Sequence, residues 1–80
     1  MIVVELLGKD DCCLCDEALV VLERLKAELG FELVKTDITG DEELHRAYFE
    51  RIPVVRLHGR ELMQFHVDER ALREHLESAK

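Results

Sequence analysis

The pattern of apolar and polar positions divides the first half of the chain into a strand, a helix and a second strand. Residues 2–7 form a nearly continuous apolar run, which predicts a central strand covered on both faces. Residues 13–29 carry apolar side chains at 3.6-residue spacing, as an amphipathic helix does, and Gly30 can end that helix in a left-handed conformation. Residues 31–36 predict the second strand. A strand–helix–strand unit of this kind should be parallel and right-handed.

The pattern that follows predicts a short helix and a strand that opens with proline. Thr39 and Glu42 have the spacing of a capping box, which predicts a short helix over residues 41–49. Pro53 is the only proline, and it opens a strand over residues 54–58, where its missing N–H group is tolerated.

The last part of the chain predicts a hairpin and a third helix. Gly59 and Arg60 form a tight turn into a strand over residues 61–65. Asp68 can cap a last helix that runs to about Ala79. The element order is then β-α-β-α-β-β-α. We therefore predict an α/β fold with a four-stranded mixed sheet flanked by helices, in which the last two strands are antiparallel.

Length and composition indicate one small domain over residues 1–80. Apolar residues make up 48% of the 80, which is enough for a core. The formal net charge of -7 argues against a nucleic-acid surface, and no apolar run reaches the length of a membrane span. The N-terminal run contains Glu5 and lacks a basic leader, so we expect no signal peptide and a cytoplasmic location.

Three cysteines lie within four residues, between the first strand and the first helix. Cys12 and Cys15 form a Cys-x-x-Cys pair, which in a cytoplasmic protein is more often catalytic or metal-binding than structural. Unpaired N–H groups at a helix start stabilise a thiolate, which lowers its pKa. A second thiol one helical turn away can attack a mixed disulfide and resolve it.

Helical periodicity predicts different environments for the three thiols. Cys15 shares a helix face with apolar residues such as Ala18 and should be buried, whereas Cys13 shares a face with Glu17 and should face solvent. Cys12 lies before or at the first turn, where we expect the greatest exposure. We therefore predict Cys12 as nucleophile, Cys15 as resolving thiol and Cys13 as bystander.

Two other interpretations of the cysteines remain open. They could be small apolar residues without chemistry, as free cysteines often are. They could also hold zinc, but structural zinc needs four ligands, and the chain has no second cysteine pair and only scattered histidines. We therefore expect no metal site and no tightly bound cofactor.

The chain resembles the glutaredoxins of the thioredoxin superfamily. The resemblance rests on the element order, on Cys12-Cys13-Leu14-Cys15 after the first strand, and on Ile52-Pro53 before the third. It covers essentially the whole chain, and Cys-x-Leu-Cys-Asp-Glu-Ala is particularly similar to small bacterial glutaredoxin-like proteins.

The resemblance implies a function and a set of site residues. Cys12 would attack and Cys15 would resolve, Pro53 would be a cis-proline beside the disulfide, and the backbone of Ile52 would pair with the substrate. Lys9 would meet a glutathione carboxylate. Asp68 would hold the amino end of glutathione.

The implied activity is thiol–disulfide exchange on a disulfide-containing protein or a glutathione mixed disulfide. Glutathione or a thioredoxin-type reductase would reduce the oxidised pair. Two alternatives are an iron–sulfur or metal-carrying glutaredoxin relative and a non-catalytic binding module of the same fold.

Two departures from glutaredoxins bear on the reductant. Glutaredoxins usually have a Gly-Gly pair before the last helix, whereas residues 63–68 here contain no glycine. In addition, the sequence around the cysteines holds four acidic residues, Asp10, Asp11, Asp16 and Glu17, but a single basic residue, Lys9, and glutathione is anionic. Both features count against glutathione dependence and leave thiol–disulfide exchange unaffected.

Overall fold

The computed structural model describes residues 2–10 and 12–78, so the predicted helix end at Ala79 lies outside the described residues. Seven elements follow one another in the predicted order. They are β1 (Val3–Gly8), α1 (Cys13–Leu29), β2 (Glu32–Asp37), α2 (Glu42–Tyr48), β3 (Val54–Leu57), β4 (Arg60–Gln64) and α3 (Glu69–Ser78), with a 3-10 turn at Ile38–Gly40 between β2 and α2. Gly30 ends α1 with φ 79°, in the left-handed conformation predicted for it.

The four strands form one mixed sheet in the order β2-β1-β3-β4. β1 pairs in parallel with β2 and antiparallel with β3, and β3 pairs antiparallel with β4. The predicted fold is therefore confirmed. β1 is a central strand, and its carboxyl end runs directly into the cysteine segment.

Two apolar clusters fill the space around β1. The larger cluster joins Val4 and Leu6 to buried side chains of α1 and α3, among them Leu22 and Leu72. The smaller cluster lies at the carboxyl end of β1 and joins Leu7 to Cys15 and three further buried residues, Ile38, Ile52 and Val54. Because the smaller cluster contains Cys15, packing at this end of the sheet positions the cysteine pair.

Glu5 is a charged residue in the central strand, and its carboxylate is half-buried. It accepts hydrogen bonds from the Thr36 hydroxyl and from Nε of Arg56, both at 2.7 Å, on the strands to either side. A half-buried carboxylate needs such partners, because desolvation without them is costly. These contacts explain how an acidic residue fits into an otherwise apolar strand.

The predicted capping box of α2 is wrong. The helix is capped by Asp41, whose Oδ1 accepts hydrogen bonds from the N–H groups of Glu43 (2.9 Å) and Leu44 (3.2 Å). Thr39 lies in the 3-10 turn instead, and its hydroxyl donates to Oδ1 of Asp37 at 2.6 Å. The short carboxylate directly before the helix reaches the free N–H groups, which a residue two positions earlier does not.

The hairpin turn lies one residue earlier than predicted. His58 and Gly59 connect the strands with φ of 51° and 82°, and Arg60 already belongs to β4, where it pairs with Leu57. A two-residue hairpin turn of this type requires positive φ at both central positions, so it needs two adaptable residues.

Candidate active site

Cys12 and Cys15 lie at disulfide-bonding distance at the start of α1, with their Cα atoms 5.2 Å apart. Cys12 is the N-cap residue, with extended backbone, and Cys15 lies in the first turn. The N–H group of Cys15 points at Sγ of Cys12, at 3.2 Å. The sulfur of Cys12 therefore occupies the position of an N-cap acceptor, where helix N–H groups favour negative charge.

The burial of the cysteines agrees with the helical-face prediction for two of the three. Cys15 is 3% exposed, and Cys13 is an exposed free thiol. Cys12, however, is only half exposed and packs against the smaller cluster, so the expectation that it would be the most exposed cysteine is wrong. The reason is that its sulfur turns inward to meet Cys15, whereas Cys13 points away from the sheet.

Gly8 sets how closely Cys15 can approach the sheet. A Cβ atom at Gly8 would lie 3.0 Å from Sγ of Cys15 and 3.2 Å from its Cβ. Contacts at these distances are tighter than protein interiors normally allow, so a larger residue would push against Cys15. The last residue of β1 therefore has to be small for the disulfide to lie where it does.

Ile52 and Pro53 directly precede β3, and Ile52 belongs to the cluster that contains Cys15. Ile52 is buried in the smaller cluster with Cys15, and Pro53 is fully buried. The Ile52–Pro53 peptide bond is cis. The N–H group of Ile52 donates to the carbonyl of Tyr48 at 3.1 Å. The carbonyl of Pro53 accepts from the N–H group of Phe65 at 2.8 Å, which ties the segment after β4 to the proline.

The other two predicted site residues, Lys9 and Asp68, are exposed on the surface. Lys9 follows β1 directly and is exposed. Asp68 precedes α3, and its Oδ1 accepts a hydrogen bond from the N–H group of Ala71 at 3.1 Å, so its carboxylate acts as the predicted helix cap. Among the described residues, no hydrogen bond or ion pair joins either side chain to the cysteine pair.

Charge near the cysteines is mostly negative. Asp10, Asp16 and Glu17 are all exposed, and Lys9 is the basic residue among these neighbours. Asp11, which belongs to the predicted acidic group, lies outside the described residues.

Within residues 2–10 and 12–78, no three side chains of His, Cys, Asp or Glu converge in a way that could hold a metal ion. No helix in the same ranges has the length and apolar character needed to cross a membrane.

Comparison with known proteins places this geometry in a family. The model of the family described as "Glutaredoxin-like domain (DUF836)" matches residues 3–77. The chain belongs to this glutaredoxin-like family. A similar curated protein, the uncharacterized protein Rv0508 of Mycobacterium tuberculosis, is 39% identical over 75 residues, with 88% of this chain and 77% of that protein covered.

Solved structures similar to this glutaredoxin-like chain have the same fold. The Nitrosomonas europaea protein Ne2328 has a TM-score of 0.82 and 29% identity, covering 92% of this chain and 89% of its own. Protein XcR50 from X. campestris has a TM-score of 0.77 and 36% identity, and the match covers 96% of this chain and 99% of XcR50. A mutant thioredoxin from Halobacterium salinarum has a TM-score of 0.70 and 27% identity, and the match covers 96% of this chain and 73% of that thioredoxin.

The sequence analysis did not predict that Gly8 and Phe65 belong to the glutaredoxin-like site. The position of Gly8 could have indicated its role, because it lies between the apolar run and the cysteine segment. A glycine at the end of a strand often marks a place where another part of the chain approaches the backbone closely. For Phe65 the sequence contains no such signal, because the pattern predicts a strand through residue 65, whereas Phe65 follows β4 with φ 69°. A positive φ at an aromatic residue cannot be inferred from its type, which disfavours that conformation.

Proposed function

We propose that this chain is a thiol–disulfide oxidoreductase that reduces disulfides in proteins. The observation that carries the proposal is the Cys12–Cys15 pair at the start of α1, with the N–H group of Cys15 directed at Sγ of Cys12. In the reduced protein the same N–H group stabilises a Cys12 thiolate and lowers its pKa relative to a free thiol. Cys15 is buried below it, within reach for the second step.

The reaction proceeds in two exchanges. The Cys12 thiolate attacks one sulfur of the substrate disulfide, so that a Cys12–substrate bond forms and the other substrate sulfur leaves as a thiolate that takes up a proton. Cys15 then loses its proton and attacks Sγ of Cys12, which forms the Cys12–Cys15 disulfide and releases the second substrate thiol. The substrate gains two electrons from the cysteine pair and two protons, of which one matches the proton lost by Cys15 and the other comes from solvent, which took it up when the Cys12 thiolate formed.

Ile52 and Pro53 form the side of the site to which the substrate backbone binds. The N–H group of Ile52 already donates to Tyr48, so the pairing that we propose uses the carbonyl of Ile52 as acceptor. Pro53, which follows Ile52, is fully buried and has no N–H group that could donate to the substrate. A substrate chain can therefore lie in an extended conformation beside the disulfide.

The reductant is a thiol compound or a reductase of the cytoplasm, where thiols are kept reduced. Glutathione and a thioredoxin-type reductase are the two candidates. The exposed carboxylates of Asp10, Asp16 and Glu17 disfavour binding of anionic glutathione. The main electron donor is therefore the reductase, and the main substrates are protein disulfides. Lys9 remains the group that would meet a substrate carboxylate, and Asp68 an amino group.

Three single variants test the division of labour among the thiols. Cys12→Ser should abolish reduction of a disulfide-bonded peptide by the pre-reduced protein, because the attacking sulfur is gone. Cys15→Ser should stop at the mixed disulfide, which mass spectrometry detects as a covalent adduct of protein and peptide. Cys13→Ser is the matched control and should reduce the peptide at close to the wild-type rate. Full activity of Cys12→Ser, or an inactive Cys13→Ser, would contradict the proposal.

A further inference from the structure

An apolar groove of about 130 Å³ opens between α1 and the segment that follows β4, and Leu14 of the cysteine segment forms part of its wall. Its apolar walls are Leu14, Ala18 and Val21 from α1, and Phe65 and Val67 from the segment after β4. Two of these side chains are large and exposed, Leu14 at 37% and Phe65 at 42%. Large apolar side chains grouped on a surface beside a reactive centre commonly mark a contact with a partner.

Each wall of the groove is linked to the reactive site by one connection. Leu14 lies between Cys13 and Cys15 in the sequence. On the other wall, the N–H group of Phe65 donates to the carbonyl of Pro53, the neighbour of Ile52 in the cluster around Cys15. A polypeptide that lies along Ile52 therefore places a side chain next to its cysteine within reach of the groove.

Phe65 is held over the groove by an unusual backbone conformation. Its φ is 69°, and the N–H group of His66 donates across it to the carbonyl of Gln64 at 2.8 Å, as in a γ-turn. Glycine adopts positive φ freely, whereas a bulky residue is strained there. Strained residues that the surrounding structure nonetheless maintains are concentrated at binding and catalytic sites.

The walls of the groove also indicate what fills it. Five of its seven lining residues are apolar, and the acidic member is Glu17, which lies next to the exposed Asp16. An anionic ligand would meet these carboxylates, and glutathione has no large apolar side chain with which to fill the groove. An uncharged or basic polypeptide with an aliphatic or aromatic side chain matches both the lining and the charge.

We infer that Phe65 is a specificity-determining residue, which selects polypeptide disulfides with an apolar side chain beside the reacting cysteine. The inference rests on the proposed function, because it concerns the substrate of the same cysteine pair. The apolar side chain lies between Phe65 and Leu14, and Cys12 then attacks the adjacent disulfide as described above. Phe65 contributes to binding and takes no part in the electron transfer.

The test compares two disulfide-bonded peptides of equal charge, with Leu or Ser beside the cysteine. Pre-reduced protein supplies the electrons, and the rate constant for peptide reduction is measured in a single turnover. The wild-type protein should favour the Leu peptide on the order of tenfold, the effect expected of one well-placed apolar group. Phe65→Gly should bring the ratio close to one without lowering the unfolding midpoint, because glycine suits the backbone there.

Two further variants separate binding from structure. Phe65→Leu restores an apolar side chain and should restore most of the preference. Phe49→Leu changes another exposed phenylalanine, which stacks on His45 at the end of α2, and should leave the ratio unchanged. Equal rates for the two peptides in the wild-type protein, or an unaltered ratio in Phe65→Gly, would overturn the inference and leave the proposed function intact. Failure of the wild-type protein to reduce either peptide would overturn both.

Discussion

Gly8 is the residue on which the placement of Cys15 most directly depends. Its missing side chain leaves room for Sγ and Cβ of Cys15, which an added Cβ atom would meet at 3.0 and 3.2 Å. The neighbours leave little room for adjustment, because Leu7 and Cys15 are both buried in the smaller cluster. Overpacking of a buried site typically costs about 1–3 kcal/mol.

We therefore predict that Gly8→Ala lowers the free energy of unfolding by about 1–2 kcal/mol, as expected for overpacking, and moves Cys15 relative to Cys12. The second effect should appear as a changed equilibrium constant between the protein and a reference dithiol. Gly40→Ala is the matched control, because nothing lies within 4 Å of an added Cβ atom at Gly40. If the two variants have the same stability and the same equilibrium constant, the close approach at Gly8 is of no consequence.

At the same scale, the cysteines show what a sequence can predict about a site. The helical period correctly predicted that Cys15 is buried and Cys13 exposed, since that prediction needs only the direction of a side chain on α1. It did not predict the half-buried Cys12, whose position depends on its pairing with Cys15 and on contacts with the smaller cluster. Tertiary contacts of this kind have no periodicity from which to infer them.

At the scale of elements, Asp37 links the end of β2 to the smaller cluster. Its Oδ1 accepts hydrogen bonds from the hydroxyl and the N–H group of Thr39, and these two bonds, the hydroxyl first, hold the pKa of Asp37 below its ordinary value. The 3-10 turn that they stabilise carries Ile38, which is fully buried beside Cys15. The ionised carboxylate is therefore favoured in the folded protein.

This lowered pKa predicts a dependence of stability on pH. A carboxyl group whose pKa is lower in the folded state stabilises the fold above its unfolded pKa, and that stabilisation is lost as the pH falls through the folded value. We expect Asp37→Asn to lose less stability between about pH 5 and pH 2 than the wild type, because Asn keeps the acceptor oxygen but does not titrate. Unfolding by denaturant at several pH values measures the difference.

Thr39→Ala provides the second arm of this experiment. It removes the hydroxyl donor, so an NMR titration should find the pKa of Asp37 closer to its ordinary value in that variant than in the wild type. Identical titration curves in the two proteins would show that the hydroxyl does not stabilise the carboxylate.

The same region explains why the elements were easier to predict than their ends. The long apolar patterns of β1 and α1 gave both elements with bounds within one residue, because burial imposes their periods. The spacing of Thr39 and Glu42 predicts a capping box for α2, whereas the cap is Asp41. Several short polar residues compete for the same N–H groups here, and the sequence alone does not decide among them.

At the scale of the whole molecule, the fold brings an acidic surface to the cysteine pair. The chain carries 18 acidic and 11 basic residues, and the loop and helix start around Cys12 share this excess. The helix N–H groups favour a thiolate at Cys12, whereas nearby carboxylates oppose it. Because the carboxylates oppose the helix N–H groups, the thiolate of the reduced protein should be less stable and the cysteine pair more reducing. These properties suit a protein that reduces disulfides in neutral or basic polypeptides.

Replacing Asp10 and Asp11 by Asn tests this balance. Because the variant removes two negative charges from the residues that directly precede Cys12 in the sequence, we expect the pKa of the Cys12 thiol in the reduced protein to fall at low salt. The pH dependence of alkylation measures that pKa, in a Cys13→Ser background so that the exposed thiol does not react. Added salt should shrink the difference between the variant and its parent, since exposed charges are screened.

The matched control makes the same change of charge on α3, at the exposed Glu74 and Glu77. Replacing these two by Gln should lower the pKa of Cys12 less than the Asp10 and Asp11 change does, because these carboxylates lie on α3 and not in the segment that precedes the cysteine. The Asp10 and Asp11 variant should also reduce anionic peptide disulfides faster, relative to basic ones, than its parent does. If its pKa and its preference both match those of the control, the acidic residues form only a solvated loop, and selection among substrates rests on the apolar groove alone.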